Sequence, residues 1–212
     1  GALVCALGCE RNNLGRFFED TGLAAGKALK SLTMQDVGGT AAAIAEGKAM
    51  IREMLEEANN VTREPCSAEH IAIGLQCGGS DGFSGLSANP ALGKAMDILV
   101  RHGGTAVLSE TTELYGVEHT LTARAATPEV GQTIVDRMNW WLEYTVGTDT
   151  QINGQVSPGN NAGGIANVIE KSLGGAKKGG SSGFMAAYKY AEPIEERGLG
   201  FMDSPGFDPV SA

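Results

Sequence analysis

The sequence predicts an α/β fold with a mainly parallel, Rossmann-like sheet, flanking helices and one long loop rich in glycine, lysine and asparagine. Short apolar runs alternate with longer segments whose apolar residues recur at helical spacing, and glycine-rich turns follow several of these runs. A chain of 212 residues, of which 42% are hydrophobic, is also long enough to bury a core of its own. We therefore expect one α/β catalytic domain over residues 1–212.

Two strands and two helices are predicted in the first part of the chain. The apolar run Ala2–Leu7 forms the first strand and leads into a helix from about Leu14. The run Leu29–Met34 forms the second strand. Thr40 is a residue type that favours the N-cap position, and it is expected to begin an alanine-rich helix that continues to about Ala58.

The middle of the chain repeats this alternation. A third strand is predicted at His70–Gln76 and a fourth at Thr105–Ser109. The helix between them, Pro90–His102, has its proline at a permitted early position. Two further helices, near Glu113–Ala125 and Pro128–Tyr144, follow the fourth strand.

Residues 147–183 differ in character from the rest of the chain. Glycine, asparagine, serine and lysine dominate them, and the only piece with helical period is about Ile165–Leu173. A loop of this length in a compact domain is usually functional or disordered, and we expect a long active-site loop. Two more strands, Phe184–Tyr188 and Gly198–Met202, are predicted after it.

Composition excludes several classes of function. The net charge of -9 and the pI near 4.8, without a local cluster of basic residues, argue against nucleic acid as a partner. No apolar run approaches the roughly 20 residues that cross a bilayer, so no membrane association is expected. The cysteines are too sparse for a secreted disulfide scaffold, which favours reduced thiols in a cytoplasm. The chain begins without methionine, and we expect a fragment of a longer polypeptide.

The strongest local feature follows the third strand. Cys77-Gly78-Gly79-Ser80-Asp81 brings a thiol, a hydroxyl and a carboxylate together with glycines whose amides can approach an anion closely. Open α/β sheets bind ligands at the carboxyl ends of their strands, so the segment is predicted to bind an anion. The same composition also suits a tight strand-to-helix connection, and the segment matches none of the nucleotide-binding fingerprints.

Two cysteines follow predicted strands. Cys9 comes after the first strand and Cys77 after the third, so in one parallel sheet they would share an edge. Two thiols at one edge predict a soft divalent metal such as Fe(II) or Zn. An isolated cysteine is more commonly a small core residue, and that alternative stays open for both.

Three glutamates follow the fourth strand. Glu110 ends that strand, which makes it a candidate general base or oxygen ligand to a hard metal. Glu113 is interpreted as a helix-capping residue, because acidic side chains in a first turn are favoured by the helix dipole. Glu118 is interpreted as part of a solvated helix face.

Lysines within the long glycine-rich segment are candidates for substrate binding. Lys171, Lys177 and Lys178 could clamp the carboxylates of an acid substrate through their positive charge. The alternative is a solvated linker, since runs of glycine, serine and lysine are typical of mobile segments.

Several motifs in order resemble the altronate and galactarate dehydratase family across essentially the whole chain. They are Leu7-Gly-Cys-Glu10, the string from Gln76 to Pro90, Ser109-Glu110 with Glu113, Ser157-Pro-Gly-Asn160 and Glu170-Lys-Ser-Leu-Gly174. The resemblance implies a cytoplasmic hydro-lyase that acts on hexonate or hexarate sugar acids with Fe(II) or a similar divalent metal. Family members also carry a small N-terminal domain before this region and further sequence after it. A homo-oligomer is compatible with the sequence.

The resemblance also suggests roles for the candidate residues. Asp81 or Glu110 would serve as base or metal ligand, and Lys171 as a cationic clamp. Ser80, with the amides of Gly78 and Gly79, would hold the substrate acid. The matching motifs make Asn160 and Ser172 candidates for binding the substrate.

Two variants of this interpretation remain. Cys9 and Cys77 could be two of three ligands to a [4Fe–4S] cluster, with the third thiolate from outside the chain. The family is also similar to the large component of sulfolactate sulfo-lyase, in which sulfite would leave instead of water. The motif Arg63-Glu-Pro-Cys66 resembles the galactarate dehydratases of the family slightly more than the altronate dehydratases. A non-catalytic module that binds small acids is the competing class.

Overall fold

The computed structural model describes residues 1–11, 13–148 and 156–205, and these form two compact units, residues 1–65 and 66–212. The division differs from the single domain that the sequence predicts. Each unit contains its own parallel sheet, and a segment without regular structure, residues 61–67, follows the last helix of the first unit.

The first unit consists of β1 (Ala2–Ala6), α1 (Leu14–Thr21), β2 (Leu29–Thr33) and α2 (Thr40–Ala58). The two strands pair in parallel, with Ala2 opposite Leu29. Helix α2 begins one residue earlier than predicted, because Gly39, with φ of 108°, occupies the N-cap and Thr40 is already helical. All the predicted elements of this unit are confirmed.

The second unit contains a four-stranded parallel sheet in the order β3-β4-β6-β5. Thr105 at the start of β4 is the register partner of Ala72 on one side and of Gly198 on the other. The elements are β3 (Ala72–Leu75), α3 (Ala88–Arg101), β4 (Thr105–Leu108), α4 (Glu118–Thr122), α5 (Pro128–Tyr144), α6 (Pro158–Ala162), α7 (Val168–Ala176), β5 (Phe184–Tyr188) and β6 (Gly198–Met202).

The core of this unit is built on the central strand β4. Ala106 and Leu108 are fully buried, because β4 has a strand on either side. Phe184 from β5 and Phe201 from β6 are likewise buried in the same apolar cluster. Helices α3 and α5 pack against strands of the sheet. The prediction of a parallel α/β fold with flanking helices is confirmed.

One predicted helix is broken in the structure. The segment predicted as helix over Glu113–Ala125 forms a short 3₁₀ helix, Thr111–Leu114, followed by α4. Gly116 separates the two with φ of 81°, a left-handed conformation that glycine adopts without strain.

Much of the described part of the predicted long loop is helical. Within residues 156–183, α6 and α7 are followed by a 3₁₀ helix at Lys177–Gly179. Ser157 and Asn160 form a reciprocal capping box at the start of α6, and the Asn167 side chain caps α7. Between residues 156 and 183, the loop prediction therefore holds only for the connections between these helices. Residues 149–155 of the predicted loop lie outside the described part of the chain.

Among the described residues, no helix combines the length and the apolar character that crossing a bilayer requires.

Candidate active site

Polar side chains meet at the carboxyl edge of the four-stranded sheet. Glu110 lies just after β4 and Ser204 just after β6, and both are fully buried. The Ser204 hydroxyl donates to the carbonyl oxygen of Ser109 at 2.8 Å. Asp203 accepts hydrogen bonds of 2.7 Å from both the Thr111 hydroxyl and the Trp141 indole N–H. These bonds fix the ends of β4 and β6 to each other and to α5.

Two buried ion pairs join this edge to α7 and the 3₁₀ helix after it. The Lys171 ammonium lies 3.0 Å from Oε1 of Glu113, and the Lys178 ammonium lies 2.5 Å from Oε1 of Glu110. All four side chains are at most 7% exposed. The lysines are seven residues apart, about two helical turns, so they reach the two glutamates from one face of the segment. The interpretation of Glu113 as a helix cap is therefore wrong.

The Glu110 carboxyl group sits deepest in this cluster. Its side chain is fully buried, and its Oε2 has no hydrogen-bond partner in the part of the chain that the structure describes. Gly175 lies beside it, since a Cβ added there would be 3.6 Å from Oε2. Burial raises the pKa of Glu110 to about 7, against the opposing attraction of Lys178.

Replacing Glu110 by glutamine should flatten the pH dependence of stability. The folded pKa of about 7 exceeds the ordinary value of 4.5, so the native state holds this proton more tightly than the unfolded state does. The contribution of this proton to the free energy of unfolding is complete below about pH 4.5 and is lost as pH rises through about 7. Relative to the Glu110→Gln variant, the free energy of unfolding of the wild type should fall by roughly 3 kcal/mol across this window.

Urea unfolding of the full-length protein at a series of pH values measures this effect. The exposed Glu195→Gln variant is the control and should keep the wild-type profile. If the free energy of unfolding of Glu110→Gln depends on pH as that of the wild type does, the folded protein does not bind a proton at Glu110 more tightly than the unfolded chain does.

Cys77 connects the ion pairs to the glycine-rich segment. Its thiol is buried and lies 3.6 Å from the Ser80 hydroxyl. Burial raises the pKa of the Cys77 thiol, and the negative charge of Glu113 acts in the same direction.

A cavity of about 460 Å³ lies between the glycine-rich segment and α7. The two walls approach closely through paired glycines: a Cβ on Gly85 would be 2.9 Å from the Cα of Gly174. The Asn89 side chain bridges the walls by donating to the carbonyl oxygen of Gly174 at 3.0 Å. The polar and charged side chains that line the cavity are those of Ser80, Asp81, Ser84, Asn89, Asn167, Glu170, Lys171 and Lys177.

Three of the predicted catalytic residues, Ser80, Asp81 and Lys171, line this cavity, whereas Glu110 does not. Oδ1 of Asp81 accepts hydrogen bonds from the Phe83 and Ser84 amides and from the Ser84 hydroxyl at 2.8–3.0 Å. The bonds from Ser84 hold the pKa of Asp81 below its usual range. Asp81 therefore organises its own loop as well as facing the cavity.

The predicted substrate-binding residues occupy different places. Asn160 is buried and supports the cavity wall indirectly, because its amide donates to the carbonyl oxygen of Ser80 at 2.8 Å. Ser172 is fully buried on the core side of α7, and its hydroxyl has no hydrogen-bond partner among the described residues. Gly78 and Gly79 are exposed and are not among the residues that line the cavity.

The predicted metal ligands do not form a complete site. Cys9 is exposed in the first unit, while Cys77 is buried in the second. The Glu113 carboxylate, whose charge acts on the Cys77 thiol, is already ion-paired with Lys171. Across residues 1–11, 13–148 and 156–205, three or more His, Cys, Asp or Glu side chains never gather in a geometry that could hold a metal. These residues alone do not fit an Fe(II) site, so no catalytic step below passes through a metal.

The pairing of the charged residues was not predicted from the sequence. Glu113 was assigned to a helix terminus, and Lys178 was only one of three lysines in a supposed loop. The spacing of Lys171 and Lys178 by seven residues was the available signal, because it places both on one helical face. Asp203 and Ser204 directly follow a predicted strand, the same position that singled out Glu110.

Comparison with known proteins divides the chain at nearly the same place as the structure does. The model of the family "D-galactarate/Altronate dehydratase, C-terminal" matches residues 68–212, and that of "D-galactarate dehydratase/Altronate hydrolase, second domain" matches residues 1–59. The two matches correspond closely to the two units of the structure.

Individual relatives support the same assignment. The altronate dehydratase of Bacillus subtilis is 40% identical over the whole of this chain, which spans 42% of that protein. The galactarate dehydratase (L-threo-forming) of Escherichia coli is 42% identical over 73% of this chain, and the match covers 29% of the Escherichia coli protein. The (2R)-sulfolactate sulfo-lyase subunit beta of Chromohalobacter salexigens is 33% identical over 96% of the chain and 52% of its own length. The chain belongs to the D-galactarate/altronate dehydratase family.

Proposed function

We propose that the protein containing this chain is a hydro-lyase that removes water from a hexarate or hexonate of the galactarate or altronate type and yields the 2-keto-3-deoxy acid. The observation that carries the proposal is the cavity between the glycine-rich segment and α7, with the Lys171–Glu113 ion pair at its wall. Relatives named altronate and galactarate dehydratase support the reaction class.

Lys171 supplies the main electrostatic contribution in this proposal. Removing the proton next to a carboxylate creates an enediolate, whose growing negative charge needs a fixed cation close by. Glu113 holds the Lys171 ammonium at the cavity wall from the buried side. Because both groups are buried, the ammonium is positioned before the substrate arrives, and little reorganisation is needed during the reaction.

Asp81 and Ser80 act on the substrate from the opposite wall. The lowered pKa of Asp81 keeps its carboxylate ionised at neutral pH, so it can accept the α-proton. The electron pair of the broken C–H bond then forms the C=C bond as the bond to the β-hydroxyl breaks. The proton on Asp81 passes to this hydroxyl, which leaves as water, and the enol tautomerises to the 2-keto-3-deoxy acid. The Ser80 hydroxyl lines the cavity beside Asp81 and can hydrogen-bond a substrate carboxylate or hydroxyl. Glu110 is buried away from the cavity, and we assign it the role of holding Lys178 and the end of α7.

The metal stays a prediction. Fe(II) or a similar divalent ion would polarise the substrate, but the described residues supply only part of a ligand set. Anaerobic iron and acid-labile sulfide analysis of the full-length protein separates a mononuclear metal from a [4Fe–4S] cluster, since iron without sulfide eliminates the cluster. A cytoplasmic location and a homo-oligomeric assembly also stay predictions.

A substrate panel tests the proposed function. We expect the full-length protein, supplied with Fe(II), to convert galactarate or altronate to a 2-keto-3-deoxy acid. Product formation is followed by NMR. Binding of these acids without product would support a non-catalytic binding module instead.

The second candidate is a sulfo-lyase. It is favoured by the match to the sulfolactate sulfo-lyase subunit, which extends over 96% of the chain. Sulfolactate belongs in the same panel, and release of sulfite without dehydration of any sugar acid would select this alternative.

A further inference from the structure

The cavity borders a second cation that the proposed mechanism does not use. Lys177 lines the cavity, its side chain is exposed, and it has no ion-pair partner among the described residues. Lys171 is ion-paired with Glu113, whereas the two carboxylates that line the cavity accept hydrogen bonds from backbone amides: Glu170 from Ala166 at 2.8 Å, and Asp81 from Phe83 and Ser84. Lys177 is therefore an ammonium group at the rim that remains available to a ligand.

The backbone that carries Lys177 is held in place. Its carbonyl oxygen accepts a hydrogen bond from the Gly180 amide and lies directly against α3, where a Cβ on Gly93 would come within 2.1 Å of it. Only a glycine at position 93 allows this approach. The position of the Lys177 Cα relative to the cavity is therefore fixed, and only the side chain moves.

The separation of the two cavity lysines suits a diacid. Lys177 follows Lys171 by six residues, which corresponds to about 9 Å along a helix axis. The terminal carboxyl carbons of an extended six-carbon diacid lie roughly 6 Å apart, from C–C bonds of about 1.5 Å. The Lys171 ammonium is held in place by Glu113, so the exposed and flexible Lys177 side chain has to span this difference for both lysines to contact one molecule.

We infer that Lys177 binds the second, non-reacting carboxylate of a hexarate, and that this contact makes the cavity prefer diacids over hexonates. The inference rests on the proposed function, because Lys171 must hold the reacting end. A hexonate ends in a neutral hydroxymethyl group, which offers an ammonium group no opposite charge. The site would then favour galactarate over altronate.

Equilibrium binding to the full-length protein tests the inference, with galactarate and altronate titrated separately by calorimetry. Lys177→Met should weaken galactarate binding about tenfold and altronate binding less than about twofold, as expected for loss of one charge-assisted hydrogen bond. Lys177→Arg should restore most of the galactarate affinity. Lys94→Met, an exposed lysine of α3 outside the cavity, should change neither.

The binding readout separates this inference from the proposed function. Selective loss of galactarate affinity supports the role of Lys177 even if no product forms, in which case only the proposed reaction fails. The role of Lys177 would be overturned if Lys177→Met weakened the binding of both acids equally, or of neither. It would also be overturned if the wild type bound altronate as tightly as galactarate.

Discussion

Replacement of Lys171 by methionine is expected to lower kcat of the full-length enzyme by about 1,000-fold, because the fixed cation at the cavity wall is lost. The same change leaves the Glu113 carboxylate buried at 2% exposure without its ion-pair partner. Removing one member of a buried ion pair typically costs about 3–5 kcal/mol of stability. Kinetic assay and urea unfolding of the same preparation measure both effects.

The matched control is Lys94→Met, which removes the same charge from an exposed position on α3. It should leave kcat and the free energy of unfolding close to the wild type. A Lys171→Met enzyme that is folded and nearly as active as this control would remove Lys171 from the mechanism.

Replacement of Gly93 by alanine is expected to destabilise the second unit by about 3 kcal/mol. The added Cβ would lie 2.1 Å from the carbonyl oxygen of Lys177 and 2.7 Å from the amide nitrogen of Gly180. Both contacts involve backbone atoms, so rotation of a side chain cannot relieve them. The 3₁₀ helix that carries Lys177 and Lys178 must shift, which weakens the Lys178–Glu110 pair.

Gly159→Ala is the matched control for this substitution. A Cβ at Gly159 would meet only the Ser157 hydroxyl, at 3.7 Å, so stability should change by less than about 1 kcal/mol. Chemical unfolding of the two variants compares them directly. Equal stability of both would mean that α3 and the 3₁₀ helix do not approach as closely as described.

The strands could be predicted from sequence because their signal is local. Short apolar runs identified all six strands, including β5 and β6, which pair with each other next to β4 in the sheet. The strand order itself could not be predicted, because nothing local places β6 between β4 and β5. Helix α6 was missed, and α7 was indicated only by a piece of helical period at about Ile165–Leu173, since glycine and asparagine lower the helical signal while caps and glycine packing stabilise these helices.

The candidate site was predicted in part for a similar reason. Ser80 and Asp81 follow a strand and lie in the cavity, as position alone suggested. Glu110 follows a strand as well, but its carboxyl group points into the core and pairs with Lys178. Tertiary packing decides whether a carboxylate at the end of a strand faces a cavity or the core. The residues next to it in the sequence do not carry this information.

The double variant Lys171→Met with Glu113→Leu tests most directly whether the Lys171 ammonium stabilises the charge that develops on the substrate. Replacing a buried ion pair by apolar side chains of similar volume is often neutral for stability, so this protein should regain the fold that Lys171→Met alone weakens. We measure 2-keto-3-deoxy acid formation from galactarate and altronate by the folded double variant. The double variant should have wild-type stability, with kcat still lowered about 1,000-fold. A folded double variant whose kcat lies within about tenfold of the wild type would contradict it.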